Sequence, residues 1–147
     1  MAAVSLSTIR SRFGTAIGAI AGMTESRNPF GRFGYNPNSV AHLRFACGVM
    51  SCNRIDADRQ REAQGVFVTT TMGVRFAYRL RPKDQITSYD ESFDQAQSVI
   101  QAITNRTSAV YANIQIFFDD LGHEITDSGE YMVFTVRFLI YHYLPLI

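Results

Sequence analysis

Apolar residues near the N-terminus recur at steps of three and four, the spacing that places side chains on one face of a helix. They are Leu6, Ile9, Phe13, Ile17 and Ile20. Ser5 or Ser7 is available as the N-cap. The pattern predicts a first helix that begins close to residue 5.

Two alternating segments follow and predict a pair of strands. Residues 40–51 alternate loosely, whereas residues 65–81 alternate strongly, with apolar side chains on one side and Arg75 and Arg79 on the other. Pro82 ends the second strand because proline cannot donate to the ladder. The stretch 53–64 between the strands mixes charges of both signs, which predicts a solvated hairpin tip.

A second helix is predicted from a capping box, in which Ser88 accepts from the amide of Glu91 and the Glu91 side chain reaches back. Asp90, Glu91 and Asp94 then fall in the first turns, where the helix dipole favours anions. Behind the cap runs an apolar stripe of Phe93, Ala96, Ile100 and Ile103.

Two further strands are predicted at residues 109–119 and 129–145, with a turn at 120–130 between them. The order is therefore α-β-β-α-β-β over a single domain, 1–147. It predicts an α+β fold in which a four-stranded antiparallel sheet carries both helices on one face.

The last strand is apolar on both sides. Its even-numbered side suits a core, but its odd-numbered side carries Val133, Arg137, Leu139, Tyr141 and Tyr143 where polar residues are expected. No helix remains in the sequence to cover that side, so we predict that another copy of the chain does. Burial of this row is worth several kcal/mol per subunit at about 25 cal/mol per Å².

The loop predicted at 23–39 offers an alternative cover. It is rich in Gly, Asn and Pro, yet it carries Phe30, Phe33 and Tyr35. These aromatic side chains either dock on a partner or pack beneath their own loop, and a strand bent by a bulge under this loop would need no second copy.

Composition narrows the classes of function. The net charge of +1 gives no general attraction to nucleic acid or to an anionic membrane. Two cysteines do not make a disulfide framework, and neither a signal peptide nor a membrane span is predicted, so we expect assembly in the cytoplasm. Thirteen of the fourteen basic residues are arginine, which suits protein interfaces or reflects codon usage.

Candidate chemistry is sparse. The three histidines, His42, His123 and His142, lie on different predicted elements without metal-ligand spacing. Cys47 and Cys52 are five residues apart and should point to opposite faces of one strand. An acidic cluster in the last turn offers only a weak divalent-cation site. It consists of Asp119, Asp120, His123 and Glu124. We predict no enzyme, no cofactor and no resident metal.

The part of the chain from residue 84 to residue 144 reads as a helix, DQITSYDESFDQAQSVIQAI, and two strands, AVYANIQIFFDD and EYMVFTVRFLIYHY. In element order it resembles the tail terminator and tail-completion proteins of long-tailed bacteriophages and gene transfer agents. The resemblance implies a virion protein whose hexameric ring ends the tail tube and joins it to the head, with tube and connector or stopper proteins as partners and DNA passing transiently through the lumen.

Such a ring needs two different patches on each subunit. We expect one on the bare sheet face and the other at the acidic start of the second helix of a neighbour. The first comprises Arg75, Arg79, Arg137, Tyr141 and Tyr143, and the second Asp90, Glu91 and Asp94.

Other readings stay open. The longer loop and tip would suit a head-closure or connector adaptor of the same neck. A small dimeric α+β module that binds an apolar ligand, or an enzyme with a site at a subunit boundary, would use the same sequence differently.

Overall fold

The structure is a computed structural model, and it describes residues 2–26, 42–55, 65–105 and 109–145. The helices are α1, Leu6–Gly18, and α2, Gln85–Thr104, with a short 3-10 helix at Ala109–Tyr111. The strands are β1, Thr24–Glu25, β2, Arg44–Arg54, β3, Val66–Arg79, β4, Gln115–Ile125, and β5, Tyr131–Leu144. The predicted α+β class is confirmed.

The strands form one sheet in the order β1-β2-β3-β5-β4, and adjacent long strands, β2-β3, β3-β5 and β5-β4, are antiparallel. The predicted count of four strands is wrong, because Thr24 and Glu25 form a fifth strand that runs parallel to the start of β2. The amide of Thr24 donates to the Leu43 carbonyl, and that of Ser26 to the Phe45 carbonyl. Thr24, Glu25 and Ser26 belonged to the loop predicted at 23–39.

Both helices pack on the same face of the sheet and enclose the main core. Phe13 of α1 meets Phe138 edge to face, with ring centroids 5.5 Å apart, and Phe93 of α2 meets Phe134 in the same way at 5.2 Å. Six side chains of β5 with no exposed surface lie on this face. They are Met132, Phe134, Val136, Phe138, Ile140 and His142.

The first helix begins where the sequence predicts, because the Ser5 hydroxyl accepts from the Thr8 amide. The predicted capping box of α2 is wrong. The helix begins four residues earlier, with Asp84 in place of Ser88 at the N-cap position. Ser88 is a buried residue of the first turn that donates to the Asp84 carbonyl and accepts from the Arg81 amide. The acidic residues 90, 91 and 94 therefore lie beyond the first turn.

The third predicted strand is displaced along the chain. Residues 109–111 form the 3-10 helix, and Asn113 adopts a left-handed backbone with φ of 63°, which asparagine tolerates better than most residues. The strand starts only at Gln115 and continues to Ile125, so the turn before β5 shrinks to residues 126–130. Gly129 supplies the positive φ that this turn needs, and its amide donates to the Thr126 carbonyl.

The last strand matches its prediction closely, since β5 runs from Tyr131 to Leu144 within the predicted 129–145. Neither helix of the described residues is long and apolar enough to cross a membrane.

Candidate subunit interface

The face of the sheet opposite the helices, which we call the outer face, is where the sequence places its candidate interface. Arg75, Ala77 and Arg79 of β3 lie on it, because they alternate with the core residues Val74, Phe76 and Tyr78. Their partners across the ladder are the odd-numbered residues of β5.

Two arginines of the outer face are paired within the chain. Arg75 donates to the Glu124 carboxylate at 3.1 Å, reaching from β3 to β4 across the intervening strand β5. Arg137 donates to the Asp120 carboxylate at 2.6 Å. The Arg75 side chain is 11% exposed and the Glu124 side chain 62% exposed, so this ion pair is only partly shielded from solvent.

One end of the outer face is already buried within the chain. Ala46, Ala77 and Val133 form a small second apolar cluster, with Tyr131 packed against it, and Val133 is 1% exposed. The prediction that Val133 needs a second copy for its burial is therefore wrong.

The other end of the outer face carries an aromatic patch, which consists of Phe67, Phe117, Leu139, Tyr141 and Tyr143. The Phe67 and Tyr143 rings stack at 4.9 Å, and the Phe117 and Tyr141 rings meet edge to face at 5.7 Å. Tyr143 is buried, which corrects the expectation that a partner must cover it, whereas Leu139 and Tyr141 are half-buried and Phe117 is 48% exposed.

The three residues of the predicted acidic patch differ in their surroundings. Asp90 and Asp94 are exposed on α2. Glu91 accepts from the Tyr78 hydroxyl at 3.0 Å and from Arg81 at 3.2 Å, so it is engaged within its own chain. Burial, followed by this hydrogen bond, raises the pKa of Tyr78. Pairing between the two predicted patches remains a prediction, and three of its six charged members already have partners.

The aromatic residues Phe30, Phe33 and Tyr35 lie outside the described residues, as does most of the tip, from 56 to 64. Arg79 is exposed on the outer face, and its amide donates to Nδ1 of His42. Burial and the Arg79 charge lower the pKa of His42.

The acidic cluster of the last turn does not converge on a single point. Asp120 and Glu124 lie on the outer face, whereas His123 lies on the core side, where its ring contacts Phe93 and Phe134. Within the described part of the chain, no three His, Cys, Asp or Glu side chains are placed to share a metal ion.

Both cysteines face the core side, contrary to the prediction. Cys47 lies opposite Val74 and Cys52 opposite Thr70, because a β-bulge at Met50 inserts one extra residue between them. Burial raises the pKa of Cys47 to about 12.

Sequence reasoning missed a buried polar group beside Cys52. The Thr70 hydroxyl lies 3.5 Å from the Cys52 sulfur and 2.7 Å from Nε2 of the fully buried His142. Burial lowers the pKa of His142. Only the strand register brings these three residues together, since they come from three different strands.

Comparison with known proteins adds no relative. No protein-family model matches the chain, and a search of curated proteins finds no match either.

Proposed function

We propose that this protein is a structural virion subunit that forms a ring, a hexamer in its simplest form, which terminates a phage tail tube and joins it to the head. The observation that carries the proposal is the one-sided covering of the sheet. Both helices lie on one face, while the outer face has no second layer of helices in the described residues and leaves Phe117 exposed and Tyr141 half-buried at one end.

The outer face is suited to contact with protein. Tyrosine and arginine are enriched at the centres of interfaces, and this face presents Tyr141, Leu139 and Phe117 beside the Arg137–Asp120 ion pair. Because one end of the face is buried within the chain, contact with another protein through this face would use the end that holds the aromatic patch.

The proposed partners follow from the place of such a ring. They are further copies of the chain, the tail tube protein and the connector or stopper proteins of the neck. The ring would be assembled in the host cytoplasm and retained in the virion, and DNA would pass through its lumen with loose contacts. A head-closure or connector adaptor is the alternative position in the same neck.

A ligand-binding module is less well supported. It requires an enclosed apolar cavity, whereas the cavity of about 470 Å³ along α1 is a surface groove bordered by exposed hydroxyl side chains. Those of Ser7, Thr8 and Thr15 contribute to its wall.

Size-exclusion chromatography with light scattering tests the proposal. A mass near six times that of the 16.5 kDa chain, or a monomer that assembles when tail tubes are added, supports the ring. A stable dimer that does not bind tail tubes favours the ligand-binding module and overturns the proposal.

The role of Arg137 needs a matched pair of variants, because the residue already has an intrachain partner. Arg137→Glu removes both the intrachain pair and any pair with a neighbour. Arg137→Glu combined with Asp120→Arg restores the intrachain pair alone. If both variants keep the native mass, Arg137 does not pair with a neighbouring α2.

A further inference from the structure

We infer that the two open edges of the sheet are the two halves of the contact between copies, so that the β4 edge of one copy packs against the β2 edge of the next. This inference rests on the proposed ring and names its contact surface. In the described residues, β4 has no ladder partner on the side away from β5. On the side away from β3, β2 has a ladder partner only at Arg44 and Phe45, where β1 pairs with it.

Exposed apolar side chains gather at these edges. Val49 and Met50 of β2 are 40% and 43% exposed, and Phe117 and Phe118 of β4 are 48% and 43% exposed. Large apolar side chains exposed at a strand edge favour contact with another protein, because such contact removes them from water.

The apolar groups of the two edges stand at the same height on the sheet. The register runs from Val49 through Met72 and Phe138 to Phe118, each directly opposite the next. Because β2 and β4 are antiparallel, a second copy placed beside the first continues the alternation of strand directions. Head-to-tail placement therefore brings the apolar group of one edge against that of the other.

The two edges also carry opposite charge. Strand β2 contains two basic side chains, Arg44 and Arg54, and no Asp or Glu. Glu25 of the neighbouring β1 is paired with Arg10. The segment 115–130 that holds β4 contains five acidic side chains and no Lys or Arg. They are Asp119, Asp120, Glu124, Asp127 and Glu130.

The charges nearest the edges are available for a neighbour. Arg44, Arg54 and Asp119 are exposed and form no ion pair with any described residue. Opposite charge on the two edges favours contact between different edges and opposes contact between like ones, which is what a head-to-tail ring requires.

Charges and bulges also protect strand edges from unwanted pairing, and both edges have a bulge, with Met50 and Asp119 as the extra residues. Protection, however, does not account for exposed apolar side chains at matching heights. The bulges interrupt a continuous intermolecular ladder, so the contact is made by side chains.

Two charge-reversed variants test the inference by native mass spectrometry. Arg44→Glu with Arg54→Glu makes β2 acidic like β4. Asp119→Arg with Asp127→Arg replaces two acids of the β4 segment, which form no ion pair with any described residue, by basic side chains like those of β2. Asp120 and Glu124 stay paired with Arg137 and Arg75. Each variant alone should associate at least about tenfold more weakly than the wild type, because like charges then face each other. An equimolar mixture should recover assembly, with the two variants alternating around the ring.

A matched variant reverses two exposed acidic residues away from the edges, Asp90→Arg with Asp94→Arg, which belong to the other predicted contact. Contact through the edges predicts unchanged association for this variant, whereas a loss as large as that of the edge variants would place the contact at the start of α2 and overturn the inference. The inference is overturned if each edge variant assembles like the wild type, or if the mixture stays dissociated although both variants show native circular dichroism. In either case, if the wild-type chain still forms a ring, only the edge contact is overturned and the proposed function is not. A wild-type chain that assembles neither alone nor on tail tubes counts against the ring itself.

Discussion

Phe134 joins three elements of the core, so its replacement by leucine should lower the free energy of unfolding by about 2 kcal/mol. The ring stacks on Phe76 of β3 at 5.1 Å and meets Phe93 of α2 edge to face at 5.2 Å. Each aromatic pair contributes about 0.5–1.5 kcal/mol beyond the area it buries, so the loss of both costs roughly 1–3 kcal/mol. Phe134 is fully buried, so water cannot replace the lost contacts.

Urea unfolding followed by circular dichroism measures this loss, at a protein concentration where the chain is monomeric. For a domain of this size, about 2 kcal/mol corresponds to a fall of roughly 4–8 °C in Tm. Phe134→Ala should cost more, about 3–5 kcal/mol, because it also leaves a cavity.

Phe117→Leu is the matched control. Phe117 also contacts an aromatic ring, that of Tyr141, but it is 48% exposed, and its loss should cost less than about 0.5 kcal/mol in the monomer. Equal losses for Phe134→Leu and Phe117→Leu would refute the packing of α2 on the centre of β5.

Three further predictions concern buried polar groups. Ser88→Ala should destabilise the fold by about 1–3 kcal/mol, measured by urea unfolding, because the Arg81 amide loses its acceptor. The free energy of unfolding should be fully maintained above pH 6.5 and fall as the pH drops below it, because the unfolded chain takes up a proton more readily than the buried His142. Cys47 should react with a thiol reagent such as DTNB much more slowly than the half-buried Cys52, since its pKa of about 12 leaves little thiolate.

Each of these predictions has its own control. Asp84→Ala should cost little, because the structure gives the Asp84 side chain no capping bond, and a large loss there would contradict the observed start of α2. His142→Gln should flatten the pH dependence by up to about 1.4 kcal/mol per pH unit, and an unchanged slope would assign it to another group such as His42. Cys52→Ser should remove the fast phase of thiol labelling.

Long, strongly periodic segments were readable from the sequence alone. The steps of three and four from Leu6 to Ile20 gave α1, although the helix ends at Gly18, and fourteen residues of alternation gave β5. In both cases many side chains repeat one signal, so a single exception does not change the reading.

The misread elements are those in which local chemistry overrides periodicity. A strand of two residues, such as Thr24 and Glu25, has no period to detect. Ser88 carries a good capping sequence, yet it lies inside the helix because its hydroxyl serves the Arg81 amide and the Asp84 carbonyl. Asn113 ends the apparent alternation of the third strand by adopting a left-handed backbone.

The sequence predicted which side chains share the outer face, but it did not predict their contacts. Alternation placed Arg75, Arg137 and Tyr141 together on one side of the sheet, as observed. It carried no information on the intrachain partners Glu124 and Asp120, because these depend on the register between strands. The matched heights of the two edges depend on the same register.

The extra residue at position 50 divides β2 into two halves of opposite phase. Before it, odd-numbered residues such as Cys47 face the helices, and after it, even-numbered residues such as Cys52 do so. Deletion of Met50 would therefore make Val49 and Ser51 consecutive and restore a regular strand, with Ser51 and Asn53 still on the outer face and Cys52 still on the core side. The same single-codon deletion at a regular position of β2 would instead turn the rest of the strand over and exchange the chemistry of two surfaces.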